Sequence, residues 1–295
     1  MTTNSVLNLI GNTPVVELQH FSTKSGVRIL AKLEGNNPGG SLKDRPVLAM
    51  FTDAEERGVL KPGAQLLEAT SGNTGIAMAM IAALHGYKFR AIMAESASIE
   101  RRKVMKMFGT DIILTDAAGG TNLAIKIAQQ MLLDDPSWVN LNQFENSANP
   151  RSHEKTTGPE ILRDVPDVTH VVAGMGTGGT LAGLSAFRNR QAPQVKIVGV
   201  EPIAGSKIQG LRNMAAYTPG IFSFDNLDVT LRMTEDAPAF DIAREVYRKE
   251  GISVGISCGA ALWGAMELAR TLESGVIVVI FPDRGDRYAS TALFE

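Results

Sequence analysis

The sequence has little of what disulfide-bonded, membrane-spanning or nucleic-acid-binding proteins require. Its 295 residues include a single cysteine, Cys258, so no disulfide can form within the chain. No apolar run approaches the length of a transmembrane helix, and residues 1 to 5 lack the basic and apolar regions of a signal peptide. The formal net charge of −2 provides no basic surface for nucleic acid or anionic membranes. We therefore expect a soluble, cytoplasmic protein.

Patterns that bind metal ions are also missing. The four histidines are scattered and do not show the spacing of a zinc site. Cys258 has no histidine near it in the sequence, so it is interpreted as a small packing residue. We predict no metal site.

Strand-like and helix-like segments alternate along the chain, a pattern typical of parallel sheets covered by helices. Residues 27 to 34 are predicted to form a strand in which Ile29, Ala31 and Leu33 alternate with polar residues. The alternation restarts after a polar loop at residues 142 to 150. Two α/β units are therefore predicted, with a ligand site in the cleft between them.

The second unit is predicted from several segments after that loop. A helix is expected at 157 to 163, followed by a strand that leads into a glycine-rich turn. Residues 203 to 230 read as irregular structure. Helices at 239 to 250 and 260 to 271, and an apolar strand at 276 to 281, complete the unit.

Lys43 lies in a short segment rich in glycine and proline that leads into an apolar, helix-like run. Ser41 is predicted to be the N-cap, which would place Lys43 in the first helical turn. The helix dipole and partial burial would both disfavour the ammonium form. Such a lysine suits Schiff-base formation with a carbonyl compound. Taken alone, however, Lys43 is better explained as an ordinary solvated lysine, since most lysines lie at the surface.

Two loops between a strand and a helix are suited to bind anions. In residues 174 to 180, successive glycines let backbone N–H groups converge on a phosphate at a helix N-terminus. The loop matches neither the Walker nor the dinucleotide pattern, and the alternative is a tight turn without a ligand. In residues 70 to 75, small hydroxyl groups suit a carboxylate, and the alternative is a helix cap. Ser257 begins a third helix, where it either faces a ring nitrogen or serves as an N-cap.

Several motifs together resemble the cysteine synthase family, the O-acetylserine sulfhydrylases of the type II pyridoxal-phosphate fold. The resemblance extends nearly from end to end, and residues 217–222 and 283–288 are most similar to the B-type branch. The motifs are Ser41-Leu42-Lys43-Asp44-Arg45, Thr70-Ser71-Gly72-Asn73-Thr74-Gly75, Gln143-Phe144-Glu145-Asn146, Gly176-Thr177-Gly178-Gly179-Thr180 and Gly255-Ile256-Ser257.

The resemblance implies a fold of two three-layer α/β/α domains, similar to the β subunit of tryptophan synthase, with pyridoxal 5′-phosphate in the cleft between them. The smaller, mobile domain would comprise residues 36 to 147. The larger domain would comprise residues 1 to 35 together with 148 to 295. The family also implies a homodimer.

The resemblance further implies a role for each matching residue. Lys43 would be the catalytic residue and would hold the cofactor as an imine. Asn73 would bind the ring hydroxyl, and Ser257 would face the pyridine nitrogen. The residues expected to cradle the phosphate are Gly176, Thr177, Gly178, Gly179 and Thr180. The residues expected to grip the substrate carboxylate are Thr70, Ser71, Gly72, Thr74 and Gln143.

The reaction that the resemblance implies is formation of L-cysteine from O-acetyl-L-serine and sulfide by β-replacement. Arg212 would contact an anionic sulfur donor, so thiosulfate is a second possible donor. Asn213 and Met214 stand where B-type enzymes often carry arginine and tryptophan, and Pro282 replaces a common cysteine. These departures leave the choice of donor open.

Other activities on the same fold also remain open at this stage. They are sulfhydrylation of O-phosphoserine, dehydration of serine or threonine, and cystathionine synthesis. A non-catalytic regulatory protein is a further alternative, although retention of Lys43, Asn73 and Ser257 argues against it.

Overall fold

A computed structural model describes residues 3–22 and 24–295. Met1, Thr2 and Thr23 lie outside the described residues, and with them the first part of the segment considered as a signal peptide. The strands are β1 (Val15–Glu17), β2 (Val27–Leu33), β3 (Gln65–Ala69), β4 (Lys88–Ala94), β5 (Asp111–Thr115), β6 (Trp138–Val139), β7 (His170–Gly174), β8 (Lys196–Glu201), β9 (Val229–Arg232) and β10 (Gly275–Phe281). The helices are α1 (Asp44–Glu56), α2 (Asn73–His85), α3 (Ile99–Met107), α4 (Gly120–Asp134), α5 (Ala148–Ser152), α6 (Gly158–Asp164), α7 (Gly179–Gln191), α8 (Ala237–Glu250) and α9 (Ile256–Thr271).

The strands form two separate sheets. The large sheet has the order β1-β2-β10-β7-β8-β9, and only its β1–β2 pair is antiparallel. The small sheet has the order β5-β4-β3-β6 and is parallel throughout. The predicted parallel α/β architecture is therefore confirmed. The predicted domain limits, and the mobility of the smaller domain, remain predictions.

Each sheet lies between two layers of helices. On β10 of the large sheet, Ile277 and Val279 pack with residues of α8 and α9, whereas Val278 and Ile280 pack with residues of α6 and α7. The small sheet packs against α1 and α2 on one face and against α4 on the other. Alternate residues of one strand thus fill two cores, as expected for a strand that is covered on both sides.

The helix after the polar loop begins earlier than predicted. Instead of starting near residue 157, helical structure starts at Ala148 and continues through a π-helical turn at His153–Thr157 into α6. Pro150 favoured a loop in the sequence, but a proline is tolerated in the first helical turn, where its missing N–H would have no partner. The segment predicted to be irregular also contains the start of β9.

The predicted half-buried alternation of β2 is wrong. Lys32 and Glu34 are fully buried because they join a cluster of charges with Arg45 and Glu160. The Lys32 amine lies 2.9 Å from Glu160, and Arg45 forms hydrogen bonds with both oxygens of Glu34 and of Glu160. Burial of each charge is thereby compensated by a partner of opposite sign. Because Arg45 lies in the first turn of α1, the cluster ties this helix to β2 and α6.

Residues 3–22 and 24–295 contain neither a membrane-spanning helix nor a cluster of metal-binding side chains. None of the helices found there is both long enough and apolar enough to cross a bilayer. The same residues contain no group of three or more acidic, histidine or cysteine side chains that could hold a metal ion.

Candidate active site

A cavity of about 710 Å³ lies between the two sheets and brings the predicted site residues together. The small-sheet side contributes the loop after β3, and the large-sheet side contributes the loops after β7 and before α9. Of the predicted residues, only Gly179 does not line the cavity. Those that do are Lys43, Thr70, Ser71, Gly72, Asn73, Thr74, Gln143, Gly176, Thr177, Gly178, Thr180, Arg212 and Ser257.

Lys43 lies half-buried on the cavity wall, directly before α1. The predicted position within the first turn is wrong by one residue, because Lys43 itself occupies the N-cap position and α1 begins at Asp44. Ser41 does not cap this helix; its hydroxyl accepts a hydrogen bond from the Lys43 backbone N–H at 3.2 Å. Burial lowers the pKa of the Lys43 amine to about 8, and the negative charge of Asp283 opposes part of this shift. About a tenth of the amine would therefore be neutral and nucleophilic at pH 7, far more than for a solvated lysine.

The loop after β3 forms the second wall of the cavity. Helix α2 begins at Asn73, and its N-cap is Gly72, which has no side chain that could cap the helix. The Thr74 hydroxyl instead donates to Oε1 of Gln143 at 2.7 Å, which leaves the Gln143 Nε2 group free to donate elsewhere. The N-cap of α2 is thus without a side-chain hydrogen bond, and the Thr74 hydroxyl bonds to Gln143 rather than to the backbone of the helix.

The glycine-rich loop after β7 forms the wall on the large-sheet side. Gly178 has a φ of +80°, a conformation that favours glycine, and α7 begins at the next residue. The Gly179 N–H donates to the Thr177 hydroxyl at 3.2 Å, which explains why Gly179 stands behind the cavity surface. The loop places the positive end of a 13-residue helix at the cavity, an arrangement that binds phosphate well.

Ser257 is buried in the first turn of α9 and lines the cavity. It is not the N-cap, since Gly255 occupies that position. The alternative interpretation of Ser257 as a helix cap is therefore wrong.

Arg212 reaches the cavity from the loop between β8 and β9. Its guanidinium lies 5.0 Å from the ring centres of Phe144 and of Tyr217. Tyr217 in turn donates to Glu145 at 3.1 Å, so the arginine is held between two rings rather than extended into solvent. Burial lowers the pKa of Arg212 below its ordinary value, although the group stays protonated at any physiological pH.

Sequence reasoning missed three buried residues that hold this site in place. Asn149 donates from Nδ2 to the Gln143 carbonyl at 2.8 Å and to the Thr177 hydroxyl at 3.3 Å, and so connects two walls of the cavity. His153 lies within 3.3 Å of the Thr180 hydroxyl, and burial keeps its pKa well below the ordinary value. Asn149 falls in the loop at 142–150 that was interpreted as a domain seam, and His153 lies between that loop and the predicted helix at 157–163. No local pattern indicated either residue.

Glu68 is the third of these residues and lies in β3 beneath the Gln143 loop. Its carboxylate accepts from the Asn140 amide at 3.0 Å and from the Asn142 backbone N–H at 3.2 Å. Burial raises the pKa of Glu68 to about 7, against the opposing effect of these donors. The sequence did offer one signal for Glu68, which is an acidic residue within an otherwise apolar strand. Acidic residues are almost never buried unless they are paired, so a partner could have been expected.

Asp283 and Arg287 hold the side chain of Asn73 by two hydrogen bonds. Asn73 donates from Nδ2 to Asp283 at 2.7 Å and accepts at Oδ1 from Arg287 at 2.7 Å. Both partners belong to the motif after β10 that carried the family resemblance, yet the sequence assigned them no role. A role for Asp283 and Arg287 could have been inferred from their position directly after strand β10. Ligand sites lie at the carboxyl ends of parallel strands.

A lysine of lowered pKa and a glycine-rich helix N-terminus in one cleft between parallel sheets define an α/β enzyme that can hold a phosphorylated aldehyde. A family profile described as "Pyridoxal-phosphate dependent enzyme" matches residues 6–283. Cysteine synthase B from Salmonella typhimurium is 45% identical over 293 residues, which cover 99% of this chain and 96% of that protein. The chain therefore belongs to the family of pyridoxal-phosphate dependent enzymes and, within it, to the cysteine synthases.

Solved structures agree with this assignment. The crystal structure of an O-ureido-L-serine synthase matches with a TM-score of 0.94 at 38% identity, covering 100% of this chain and 96% of that one. A cysteine synthase from Entamoeba histolytica matches with a TM-score of 0.93 at 34% identity, covering 100% and 91%. The predicted family, fold class and cofactor are thus confirmed.

The residues of the cleft fit pyridoxal 5′-phosphate. Lys43 would supply the amine for the aldehyde, and the loop at 176–180 would supply backbone donors at a helix N-terminus for the phosphate. A Cβ added at Gly176 would lie 2.6 Å from the Gly210 carbonyl oxygen, so this part of the loop has room only for glycine. The buried Ser257 hydroxyl matches a neutral pyridine nitrogen, to which it would donate.

Proposed function

We propose that this chain forms L-cysteine from O-acetyl-L-serine and sulfide by β-replacement. The observation that carries the proposal is the shared cavity of Lys43, the hydroxyl-rich loop at 70–74 and the glycine-rich loop at 176–180. These groups match an amino-acid substrate that presents its amine and its carboxylate side by side. Relatives named cysteine synthase support the choice of reaction.

Within this proposal, Lys43 has two tasks. It holds the cofactor covalently, and its amine, once free, takes the proton from the substrate Cα. Acetate then leaves Cβ with the bonding electron pair, hydrosulfide adds at Cβ, and Lys43 returns the proton to Cα. Bound pyridoxal phosphate supplies the electron sink for the negative charge that develops at Cα.

The remaining residues bind and orient the substrate. Thr70, Ser71, Gly72 and Thr74 line the wall that would receive the α-carboxylate, with the free Nε2 of Gln143 beside them. Ser257 would donate to the ring nitrogen without adding a full positive charge there. Such a contact gives a weaker sink than a carboxylate partner, which suffices for loss of a good leaving group from Cβ.

Hydroxyurea is a second candidate for the nucleophile, because the chain is structurally similar to an O-ureido-L-serine synthase. The O-ureido-L-serine synthase matches this chain along its whole length, and the product in its name requires hydroxyurea as nucleophile on the same β-carbon. Thiosulfate is the third candidate, since Arg212 lines the cavity. All three nucleophiles would react with the same bound amino acid, held by the same residues.

A spectroscopic titration tests the proposal. The purified, cofactor-loaded protein receives O-acetyl-L-serine, followed separately by sulfide, thiosulfate or hydroxyurea, while its visible absorbance is recorded and its products are separated by chromatography. We expect O-acetyl-L-serine to shift the absorbance and sulfide to restore it with release of cysteine. The Lys43→Ala variant should bind the cofactor poorly and release no cysteine. Turnover to a keto acid without any nucleophile would instead identify a dehydratase.

A homodimer and a cytoplasmic location are part of the same proposal. Both come from the family resemblance and the sequence composition. Light scattering coupled to size-exclusion chromatography would show a mass near twice that of the 31.6 kDa chain. A monomeric, fully active protein would contradict the dimer.

A further inference from the structure

Arg101 is a buried cation on the cavity wall to which the proposed function assigns no role. It lies in the first turn of α3, is only 4% exposed, and lines the same cavity as Lys43. One nitrogen, Nη1, donates to Oε1 of Gln209 at 2.6 Å. The guanidinium carbon lies 4.6 Å from the ring centre of Tyr288.

Among the residues that the structure describes, none provides a counter-ion for the charge of Arg101. In residues 3–22 and 24–295, no carboxylate lies within 4.0 Å of its guanidinium, and its Nε is buried without a hydrogen-bond partner. Arg45, by contrast, pairs with two glutamates, and Arg188 pairs with Asp228. A neutral amide and an aromatic face offset only part of the cost of burying a guanidinium.

The position of Arg101 connects it with the proposed reaction. The Tyr288 hydroxyl donates at 2.7 Å to the same Asp283 oxygen that accepts from Asn73. Arg101 is therefore separated from the expected cofactor contact Asn73 by two intervening side chains. Other polar residues that line the cavity are Ser96 after β4, Thr121 at the start of α4 and Lys207 in the loop after β8.

We propose that Arg101 binds the anionic group of the incoming nucleophile. The inference rests on the proposed function, in which the loop at 70–74 already takes the carboxylate of the amino acid. The loop at 176–180 takes the cofactor phosphate, so a further anion in the cleft belongs to the other reactant, which Arg101 would bind in addition to Arg212. The substrate class is a sulfur nucleophile that carries an oxyanion, such as thiosulfate or a thiol carboxylate, and Arg is well suited to bind either group.

A matched pair of nucleophiles tests this assignment. Mercaptoacetate and 2-mercaptoethanol are similar in size, but only the first carries a carboxylate; thiosulfate and sulfide form a second pair. The variants are Arg101→Gln, Arg101→Lys and the control Arg102→Gln, which changes the neighbouring arginine that does not line the cavity. Second-order rate constants are measured with protein already treated with O-acetyl-L-serine.

We expect Arg101→Gln to lower the rate constant for mercaptoacetate and thiosulfate by about 10-fold or more, the loss expected for a charged hydrogen bond. The constants for 2-mercaptoethanol and sulfide should change by no more than about twofold, since neither needs this contact. Arg101→Lys should restore part of the loss, and Arg102→Gln should behave as the unchanged protein. An equal fall in the rate constants for both members of each pair would overturn the proposal. Arg101 would then have only a structural role, through its hydrogen bond with Gln209.

A binding measurement supplies a readout that does not depend on turnover. Thiosulfate at constant ionic strength should raise the melting temperature of the cofactor-loaded protein and of Arg102→Gln, but not that of Arg101→Gln. An unchanged shift in Arg101→Gln would refute the site. Failure of the proposed function is recognised separately, because O-acetyl-L-serine would then leave the absorbance of the unsubstituted protein unchanged.

Discussion

The side-chain nitrogen of Asn73 and the hydroxyl of Tyr288 converge on one oxygen of Asp283, each at a distance of 2.7 Å. Arg287 closes the arrangement by donating to the Asn73 oxygen at 2.7 Å. The Asn73 amide is thereby fixed in one orientation, with its second N–H left available for a ligand. An acceptor such as the ring oxygen of the cofactor suits that position.

Replacing Asp283 by asparagine should weaken cofactor binding. The neutral amide loses a charge-assisted hydrogen bond and allows the Asn73 amide to rotate. We expect the dissociation constant of pyridoxal phosphate to rise by about 10-fold to 100-fold, corresponding to about 1.5–3 kcal/mol. Equilibrium dialysis measures it, and Asp286→Asn provides a control, since Asp286 is exposed. Unchanged affinity together with an unchanged absorption spectrum would contradict this role.

Imine formation by the protein stripped of cofactor should depend on the pKa of Lys43. Only the neutral amine attacks an aldehyde, and burial lowers the pKa of Lys43 to about 8 from its ordinary value of 10.5. The rate of absorbance growth on adding pyridoxal phosphate should rise about tenfold per pH unit below this value and level off above it. A midpoint near that of a solvated lysine would show that the amine is not buried. The Lys43→Ala variant reports any reaction at other lysines.

Gly176→Ala should impair cofactor binding more than Gly72→Ala. The added methyl group at position 176 would lie 2.6 Å from the Gly210 carbonyl oxygen, whereas a methyl group at position 72 meets no atom within 4 Å. Overpacking of this kind costs about 1–3 kcal/mol. We therefore expect a clear loss of cofactor affinity at position 176 and near-normal affinity at position 72. Equal effects at both positions would show that space in the loop is not the cause.

Glu160→Gln should destabilise the protein strongly. Removing one partner of a buried ion pair costs about 3–5 kcal/mol, whereas a surface pair contributes at most about 1 kcal/mol. The control is Glu154→Gln, because the partner of Glu154, Arg190, is 74% exposed. Urea unfolding monitored by circular dichroism gives both free energies. A similar, small change in both variants would contradict a structural role for the cluster.

The same pair predicts an acid dependence of stability. Burial opposes ionisation of Glu160, but the hydrogen bonds and charge of Arg45 outweigh it and lower the pKa to about 2 from the ordinary 4.5. A lowered acid pKa stabilises the fold fully above pH 4.5, and this contribution is lost as the pH falls towards 2. Unfolding free energies measured across this range should decline less steeply for Glu160→Gln than for the unsubstituted protein. Parallel declines would indicate that Glu160 is not the responsible group.

The sequence predicted those features whose causes are local. Helix α2 ends before Gly86 as expected, because this glycine adopts the left-handed conformation with φ +72°. The apolar run of β10 was recognised because a strand covered on both faces is apolar throughout. The two loops that line the cavity were correctly placed between a strand and a helix, because glycine and small hydroxyl residues are typical of such turns; their binding of anions stays a prediction.

Features that depend on distant partners were not predictable in this way. Lys32 reads as a solvent-facing residue of β2, and only the presence of Glu160, 128 positions later, makes its burial possible. Asn149 and His153 acquire their roles from loops that are remote in sequence. A hydrogen bond between such residues leaves no periodic pattern in the chain.

The order of strands in the large sheet has a consequence for biosynthesis. β10, formed almost at the end of the chain, lies between β2 from its beginning and β7 from its middle. While the polypeptide emerges from the ribosome, the strands of the small sheet can pair early, and β2 can pair with β1. The parallel neighbour of β2 is missing until residues 275–281 have been translated. Asp283, which anchors Asn73, follows immediately. The cleft between the two sheets therefore cannot be completed before residues 275–283 have been translated, however early its other walls form.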